Sequence, residues 1–164
     1  MPTYTCSLQA NRWTDGQKQA IAQAITANHS AATGAPPNLV HVVIQENPGA
    51  TRFVGGLPEE EHIWIVGYIR KGRDDETLGR LMLGIMQGVS KITGMDEHFI
   101  WIYLIPVESS HMVKYGSVHP PPGEEKAWLA SMPEHVRTYM ARQTPPESAN
   151  ALLADGFSGQ VKPP

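Results

Sequence analysis

The sequence has few features that would tie it to a membrane, a metal or an extracellular compartment. Its single cysteine, Cys6, excludes an internal disulfide and a cysteine-based zinc cluster. No apolar run approaches the roughly 20 residues of a membrane-spanning helix, and the N-terminus lacks the basic and then apolar pattern of a secretory signal. We therefore expect a cytoplasmic protein with no membrane partner, in which Cys6 is a buried and inert thiol.

The chain also lacks an excess of charge of either sign. Its 164 residues include 13 Lys and Arg against 16 Asp and Glu, a net charge of -3 at pH 7. This balance argues against a nucleic-acid partner, because sequence-independent binding to phosphates needs basic charge. The seven histidines show no spacing typical of metal ligands, and His111 and His119 are expected to be solvated in loops. We predict no metal and no cofactor.

The hydrophobic pattern predicts the same strand-helix-strand unit twice. Runs rich in β-branched and aromatic residues predict strands, and apolar residues three and four apart predict helices. Thr14 and Asp15 offer an N-cap for the first helix, with Gln17 three residues after Thr14. The predicted elements are a strand at 3–8, a helix from the cap at 14–15 to about 33–34, a strand at 39–44, a strand at 62–69, a helix from 74 to about 93–94 and a strand at 99–105. The strand at 39–44 should be covered on both faces or packed tightly on one. The predicted fold is α/β: two tandem β-α-β units that form one four-stranded sheet with two helices on one face, each unit pairing its strands in parallel.

After Pro106 the sequence changes to an extension without a β-α-β pattern. The segment 112–116 should form a turn or small strand, followed by short helices at 124–129 and 133–142, with Pro133 as the first residue of the second helix. These helices carry large apolar residues that would be exposed in a monomer, which favours an oligomer in which the extension packs across a subunit boundary: Trp128, Leu129 and Tyr139.

The predicted domain organisation is simple. Residues 1–142 are assigned to a single domain, with β-α-β repeats at about 2–50 and 61–106 and then the C-terminal extension. Residues 143–164 are rich in Pro, Ala and Gly, which predicts a tail without a core of its own.

The second residue, Pro2, offers chemistry that an internal residue does not. Removal of the initiator methionine would leave a secondary amine, rather than an amide, at the chain terminus. The lone pair of that amine can accept a proton or attack a carbon, and the ring fixes its direction. Held in a pocket, Pro2 would be a general base or acid. The alternative is that Pro2 only specifies clean removal of the methionine.

Four further residues are candidates for a ligand site. Arg70 and Arg73 follow a predicted strand, where ligands collect in α/β folds, and two guanidinium groups can clamp a carboxylate. They could equally be solvated surface charges. His29 lies near the end of the first helix, on or beside its polar side, where a histidine is more often solvated. Tyr103 lies in the last strand, where an aromatic residue is more often part of the core.

Five motifs, in this order along residues 2–116, together resemble the tautomerase superfamily, and the resemblance continues through Pro-Gly-Glu-Glu-Lys-Ala-Trp to about Trp128. The closest branch is that of cis-3-chloroacrylic acid dehalogenase. The motifs are Pro-Thr-Tyr-Thr-Cys from Pro2, Ile-Thr-Ala-Asn-His ending at His29, Arg-Lys-Gly-Arg at 70–73, Ile-Trp-Ile-Tyr ending at Tyr103, and Met-Val-Lys-Tyr-Gly at 112–116.

This resemblance implies a homotrimer that acts on a small carboxylate without a cofactor, with Pro2 as the catalytic acid or base in a cavity shared between subunits. Arg70 and Arg73 would then bind the substrate carboxylate, His29 would assist there, and Tyr103 would position substrate or water. Nearby guanidinium groups and an apolar pocket would both lower the pKa of the Pro2 amine, which would keep it able to abstract a proton.

One position departs from the family pattern. Lys114 stands where the dehalogenase has the glutamate that activates water, and an ammonium group cannot act as that base. A lysine would instead attract a second anionic group or lower the pKa of Pro2 further, although Glu108 in the same loop could substitute for the glutamate. The first hypothesis is therefore a keto-enol tautomerase, an isomerase of 2-oxo or enol acids. The alternatives are a hydratase or hydrolytic dehalogenase of cis-3-haloacrylate or acetylenic acids, and a non-enzymatic trimeric binding protein.

Overall fold

The computed structural model describes residues 2–48, 51–59 and 61–144, and its contacts divide the chain into two compact units, one up to Val107 and one from Glu108. The first unit contains β1 (Thr3–Gln9), α1 (Asp15–Thr33), β2 (His41–Asn47), β3 (Phe53–Val54), β4 (Leu57–Pro58), β5 (Ile63–Arg70), α2 (Asp75–Thr93) and β6 (Ile100–Val107). The second contains β7 (Val113–Lys114), β8 (Ser117–Val118), α3 (Glu125–Ala130) and α4 (Glu134–Arg142). The tail predicted at 143–164 lies, from residue 145 onward, outside the described residues.

The four long strands form one mixed sheet in the order β2-β1-β5-β6. The outer pairs β1–β2 and β5–β6 are parallel, and the central pair β1–β5 is antiparallel. Each parallel pair is joined through a helix, as a parallel connection requires. The α/β fold predicted from the sequence, two tandem β-α-β units in one sheet, is confirmed.

Helix α1 begins and ends at signals that the sequence carries. The side-chain oxygen of Thr14 accepts a hydrogen bond from the backbone N–H of Gln17 at 3.2 Å, and the Gln17 side chain accepts one from the Thr14 N–H at 3.1 Å. This reciprocal capping box satisfies backbone donors that the first turn leaves free. Gly34 ends the helix with φ of 72°, a left-handed conformation that glycine adopts without a side-chain clash.

The helices cover one face of the sheet, and the core lies between the two layers. Alternate residues of β1 point into this core, and Tyr4, Cys6 and Leu8 are fully buried. Burying each large apolar side chain contributes roughly 1.5–3 kcal/mol. Burial also raises the pKa of the Cys6 thiol to about 12, in agreement with the predicted inert thiol.

The two halves of the chain repeat with a period of 60 residues. Helices α1 and α2 begin 60 residues apart, and so do the hairpin strands β3 and β7. The same main-chain hydrogen bond closes each hairpin: the N–H of Glu59 donates to the carbonyl of Arg52 at 2.9 Å, and that of His119 to Met112 at 2.8 Å. The duplication therefore continues past residues 50 and 106, through a hairpin in each half.

Two boundary predictions were wrong at prolines. The strand predicted from residue 39 begins at His41, because Pro37–Leu39 form a 3-10 turn. This strand, β2, lies at a sheet edge and all seven of its residues are at least partly exposed, so it is not covered on both faces. Its alternate residues Val42 and Ile44 pack against the core on one face. Pro133 is the N-cap of α4 rather than its first helical residue, with ψ of 149°.

In the second unit, two residues predicted to be exposed are buried. Trp128 is only 8% exposed, and its indole N–H donates a hydrogen bond to the carbonyl of Val118 at 2.9 Å. His119 is 3% exposed and lies beside the Trp128 ring, with 5.3 Å between ring centroids. His111 and Tyr139 are exposed as predicted. In the described part of the chain, no helix combines the length and apolar character needed to cross a membrane.

Candidate active site

Pro2 is buried and lies at the entry to β1, at one end of the sheet. Its carbonyl accepts a hydrogen bond from the N–H of His41 at 3.1 Å, which joins it to the start of β2. Because β5 runs antiparallel to β1, with Tyr68 opposite Thr3, the C-terminal end of β5 reaches the same edge. Arg70, the last residue of β5, therefore lies at the end of the sheet where Pro2 lies.

His29 is buried, not on the polar side of α1 as predicted. It is 4% exposed and continues the stripe of Ile21 and Ile25, each one turn before the next. Its ring nitrogen Nδ1 is 2.7 Å from the hydroxyl of Tyr4, and the two rings meet edge to face. The helical spacing of four residues was present in the sequence and would have placed His29 on the buried stripe.

The surroundings of His29 favour its neutral form. Burial is the main cause that lowers the pKa of His29, to about 4, and the positive charges of the chain's amino terminus and of Arg73 lower it further. At neutral pH the imidazole is therefore an uncharged hydrogen-bonding group. The positive charge of Arg73 would also favour an anion close to His29.

Arg73 lies beyond β5, at the approach to α2, and contacts the end of α1. Its Nη2 donates a hydrogen bond to the carbonyl of Thr33 at 3.3 Å, one turn after His29. A guanidinium group near the C-terminal carbonyls of a helix also interacts favourably with the helix dipole. Arg73 therefore lies beside the end of α1 and near His29, while Tyr4 contacts His29, and Pro2 and Arg70 lie at the same end of the sheet.

Tyr103 is not a core residue, and it lies on the other side of the sheet. Its side chain is 54% exposed, whereas its neighbours Ile102 and Leu104 pack against the core. Residues that alternate along a strand point to opposite faces, so Tyr103 points away from the helices. Its ring contacts that of Trp64 edge to face, with 6.2 Å between centroids. Within one chain, Tyr103 and Tyr4 therefore face opposite ways.

Lys114 belongs to the second unit, in strand β7. It pairs with Ser117 across the hairpin turn at Tyr115 and Gly116, both of which have positive φ. Burial lowers the pKa of the Lys114 ammonium group. Glu108, the other candidate in this segment, is exposed and caps a 3-10 turn, where its carbonyl accepts from the N–H of His111 at 3.0 Å.

The repeat provides an internal comparison for the site. Helix positions correspond 60 residues apart, and the strand pairing Thr3–His41 corresponds to Trp64–Trp101. Three positions that carry polar or reactive groups in the first half carry plain aliphatic residues in the second: Pro2, Tyr4 and His29 correspond to Ile63, Ile65 and Val89. The fold therefore forms without this polar group, so the core alone does not require it.

Sequence reasoning missed Tyr4 and Gly67. Tyr4 was counted only as a strand residue, although its alternation with Cys6 and Leu8 places it on the buried face. Gly67 lies directly opposite Tyr4 in the β1–β5 pair.

Within the described residues, no group of three or more His, Cys, Asp or Glu side chains is arranged to hold a metal ion.

Comparisons with known proteins identify the family and the fold of the chain. Residues 1–132 match the model of a family described as "Putative oxalocrotonate tautomerase enzyme". No curated protein is significantly similar to the chain. The chain is similar to the crystal structure of N1, a member of the cis-3-chloroacrylic acid dehalogenase family, with 26% identity and a TM-score of 0.78 over 85% of this chain and 99% of that one.

Two other solved structures have the same fold. Native Ps01740 is 27% identical, with a TM-score of 0.65 over 68% of this chain and 99% of that one. A fused 4-OT, solved as a symmetric trimer, is 22% identical, with a TM-score of 0.67 over 71% of this chain and 94% of that one. The family resemblance inferred from the five sequence motifs is confirmed.

Proposed function

Because the chain belongs to the tautomerase superfamily, in the branch that includes relatives of cis-3-chloroacrylic acid dehalogenase, we propose that it is a keto-enol tautomerase of small carboxylates. Pro2, as the mature N-terminus, is the general acid and base. The substrate is a 2-oxo acid or its enol, and the reaction needs no cofactor.

The observation that carries this proposal is that Pro2 is buried at the end of the sheet where β5 ends at Arg70, with the positive charge of Arg73 close to His29. A buried secondary amine near positive charge loses its proton more readily than one in water, because both effects disfavour the ammonium form. The neutral amine then takes the proton from carbon 3 of the 2-oxo acid, and the electron pair moves into the enolate. A proton added at the oxygen completes the enol, and the reverse steps ketonise it.

The other residues bind and orient the substrate. Arg70 and Arg73 bind its carboxylate, as guanidinium groups do through paired hydrogen bonds. His29, uncharged at neutral pH, assists at the same carboxylate as a hydrogen-bond donor. These contacts hold the reacting carbon near the Pro2 nitrogen, which removes the entropic cost of a chance encounter.

Tyr103 fits this proposal when the protein is a homotrimer. It points away from the helices of its own chain, so it reaches a cavity of this kind from a neighbouring subunit. The face of the sheet away from the helices, here called the open face, carries large apolar side chains that a monomer would leave in water: Trp64, Tyr68, Trp101 and Tyr103. The similar fused 4-OT was solved as a trimer. Covering this face by self-association would bury the aromatic residues and supply Tyr103 to the partner's site.

Lys114 favours the tautomerase over the hydratase or dehalogenase alternative. Hydration or dehalogenation of a 3-substituted acrylate needs a base that activates water, and an ammonium group holds its proton at neutral pH. A lysine in this hairpin instead suits a substrate with a second anionic group. We propose Lys114 as a substrate-binding residue and expect at most weak hydratase or dehalogenase activity.

The test compares wild type with Pro2→Ala in the ketonisation of phenylenolpyruvate, after mass spectrometry has established that the methionine is absent. Loss of most of kcat/KM supports the proposal, while Pro121→Ala, at an exposed proline of the second unit, should keep full activity. If Pro2→Ala is as active as wild type, Pro2 has no catalytic role. Absence of turnover by wild type with 2-oxo, enol and haloacrylate substrates alike would favour a non-enzymatic binding protein.

A further inference from the structure

We propose that Tyr4 is a positioning residue, whose hydroxyl donates to Nδ1 of His29 and so places the imidazole proton on Nε2. This inference rests on the proposed function in one respect, namely that His29 meets a carboxylate. The contact itself is direct: the Tyr4 oxygen and His29 Nδ1 are 2.7 Å apart, and both side chains are buried. With Nδ1 occupied, Nε2 is the nitrogen through which the ring can meet a ligand.

Tyr4 is the donor in this hydrogen bond because His29 must present an N–H to the substrate carboxylate. A neutral imidazole has one N–H and one bare nitrogen. If Nδ1 carried the hydrogen and donated to Tyr4, the bare Nε2 would present a lone pair to the substrate carboxylate, and two acceptors repel. With Tyr4 as donor, Nε2–H can donate to the carboxylate. Burial raises the pKa of the Tyr4 hydroxyl and lowers that of His29, so both groups stay neutral and the bond can hold this arrangement.

The Tyr4 ring packs against Gly67, where the absence of a side chain leaves space for it. A methyl group at Gly67 would lie 2.4 Å from Cε1 and 2.8 Å from Cδ1 of Tyr4, closer than carbon atoms approach. The ring therefore occupies the space that any other residue at 67 would need. Gly67 restricts where the ring can lie and hence where the hydroxyl meets α1.

The second half of the chain shows that the fold itself has no need of this polar pair. At the corresponding positions Ile65 and Val89 are fully buried and pack as ordinary core residues. A buried polar pair is worth little more than apolar packing, and it is costly when either partner is lost. The pair in the first half is therefore better explained by what His29 does than by the stability of the core.

The experiment records ¹H–¹⁵N spectra of the histidine rings at neutral pH, which distinguish a protonated from a bare ring nitrogen. His29→Gln identifies the His29 signals among the seven histidines. We expect Nε2–H and bare Nδ1 in wild type, and loss of this fixed pattern in Tyr4→Phe. Tyr139→Phe, which removes a hydroxyl from an exposed tyrosine, is the matched control and should leave the pattern unchanged.

Kinetics with phenylenolpyruvate give the second readout. Tyr4→Phe removes one positioned hydrogen bond and should lower kcat/KM about three- to tenfold. The loss should appear mainly as a higher KM, because the bond acts on carboxylate binding. Gly67→Ala keeps the Tyr4 hydroxyl but displaces the ring. Like Tyr4→Phe, it should weaken the fixed tautomer pattern of His29 and raise KM. It also provides the test if Tyr4→Phe does not fold.

Two results overturn the proposal: a His29 that carries its proton on Nδ1 in wild type, or a Tyr4→Phe variant whose ring spectra and KM match wild type. The spectra need no turnover, so the two proposals can fail separately. If Nε2–H depends on Tyr4 but wild type converts no substrate, the proposed function fails and the tautomer assignment stands. If wild type is active and Nδ1–H is found, only the role of Tyr4 fails.

Discussion

Tyr4 and Gly67 lie directly opposite each other in the antiparallel pair β1–β5, and the tyrosine ring fills the space beside the glycine. The glycine is therefore a packing requirement of the buried ring. Its own backbone conformation makes no such demand, because Gly67 is absent from the positions with positive φ.

Gly67→Ala should lower the free energy of unfolding by about 1–3 kcal/mol, the usual cost of overpacking a core. The added methyl would also lie 2.9 Å from Cδ2 of Leu104, so there is little free space on either side. The measurement is urea denaturation. Gly79→Ala is the control: this residue of α2 has nothing within 4 Å of an added methyl and should gain about 0.5–1 kcal/mol from helix propensity. Equal effects of the two substitutions would contradict the packing argument.

His29 should make the stability of the fold depend on pH between about 4 and 6.5. Burial first, and then the amino-terminal charge and Arg73, lower its pKa to about 4 from 6.5. Over this window the unfolded chain binds the proton more readily, so the free energy of unfolding rises with pH and the contribution is complete above 6.5. The total is about 3 kcal/mol.

Denaturation at pH 4.5, 5.5, 6.5 and 7.5 would measure this contribution, with His29→Gln as reference because other groups titrate in the same range. Burial also lowers the pKa of His62, whereas Asp96 raises that of His98. We expect the stability curve of wild type to rise more steeply up to pH 6.5 than that of the variant. Parallel curves would show that His29 is not buried in its neutral form.

Lys114→Glu should increase halide release from cis-3-chloroacrylate. The substitution restores the residue type with which the dehalogenase activates water, whereas the ammonium group of Lys114 cannot accept a proton. Lys114→Gln, which removes the charge without adding a base, is the matched control and should show no such gain. The measurement is chloride release at neutral pH. A gain with glutamine equal to that with glutamate would mean that the charge of Lys114, and not the missing base, limits this reaction.

Tyr68→Glu should weaken self-association. Tyr68 lies on the open face and is 47% exposed in the single chain, so a trimer that covers this face would bury a carboxylate. Leu83→Glu places the same charge at a 55% exposed residue of α2, and should leave the assembly unchanged. Sedimentation velocity of wild type and both variants measures the oligomeric state. The account of the open face fails if wild type is a monomer or if Leu83→Glu dissociates the trimer and Tyr68→Glu does not.

Most of the fold was predictable because its signals are local. The capping box at Thr14 and Gln17 and the apolar stripe of α2 follow from side chains a few residues apart, and the structure agrees with each. The start of β2 was harder to predict, because the β-branched run at 39–44 favours a strand while Pro37 begins a 3-10 turn that takes up Leu39.

Burial was predicted less well, because it depends on contacts between distant segments. Tyr103 was predicted as a site residue although strand aromatics more often lie in the core, and the strand face on which it lies is uncovered in the single chain. His119 was expected in solvent and Trp128 at a subunit boundary, but both are buried within the second unit, with their rings side by side. The contact between Tyr4 and His29 joins residues 25 apart, and no spacing rule predicts it.

The protonation state of Pro2 tests the central claim most directly. With [¹⁵N]proline-labelled protein, the N-terminal amine can be followed by NMR through a pH titration, because the other 13 of the 14 prolines are amides that do not titrate. The account predicts that the methionine is absent and that the Pro2 nitrogen titrates below pH 7.7, the lower end of the ordinary range for a terminal amine. A nitrogen that titrates within or above that range, or an intact methionine that leaves no amine to titrate, would contradict it.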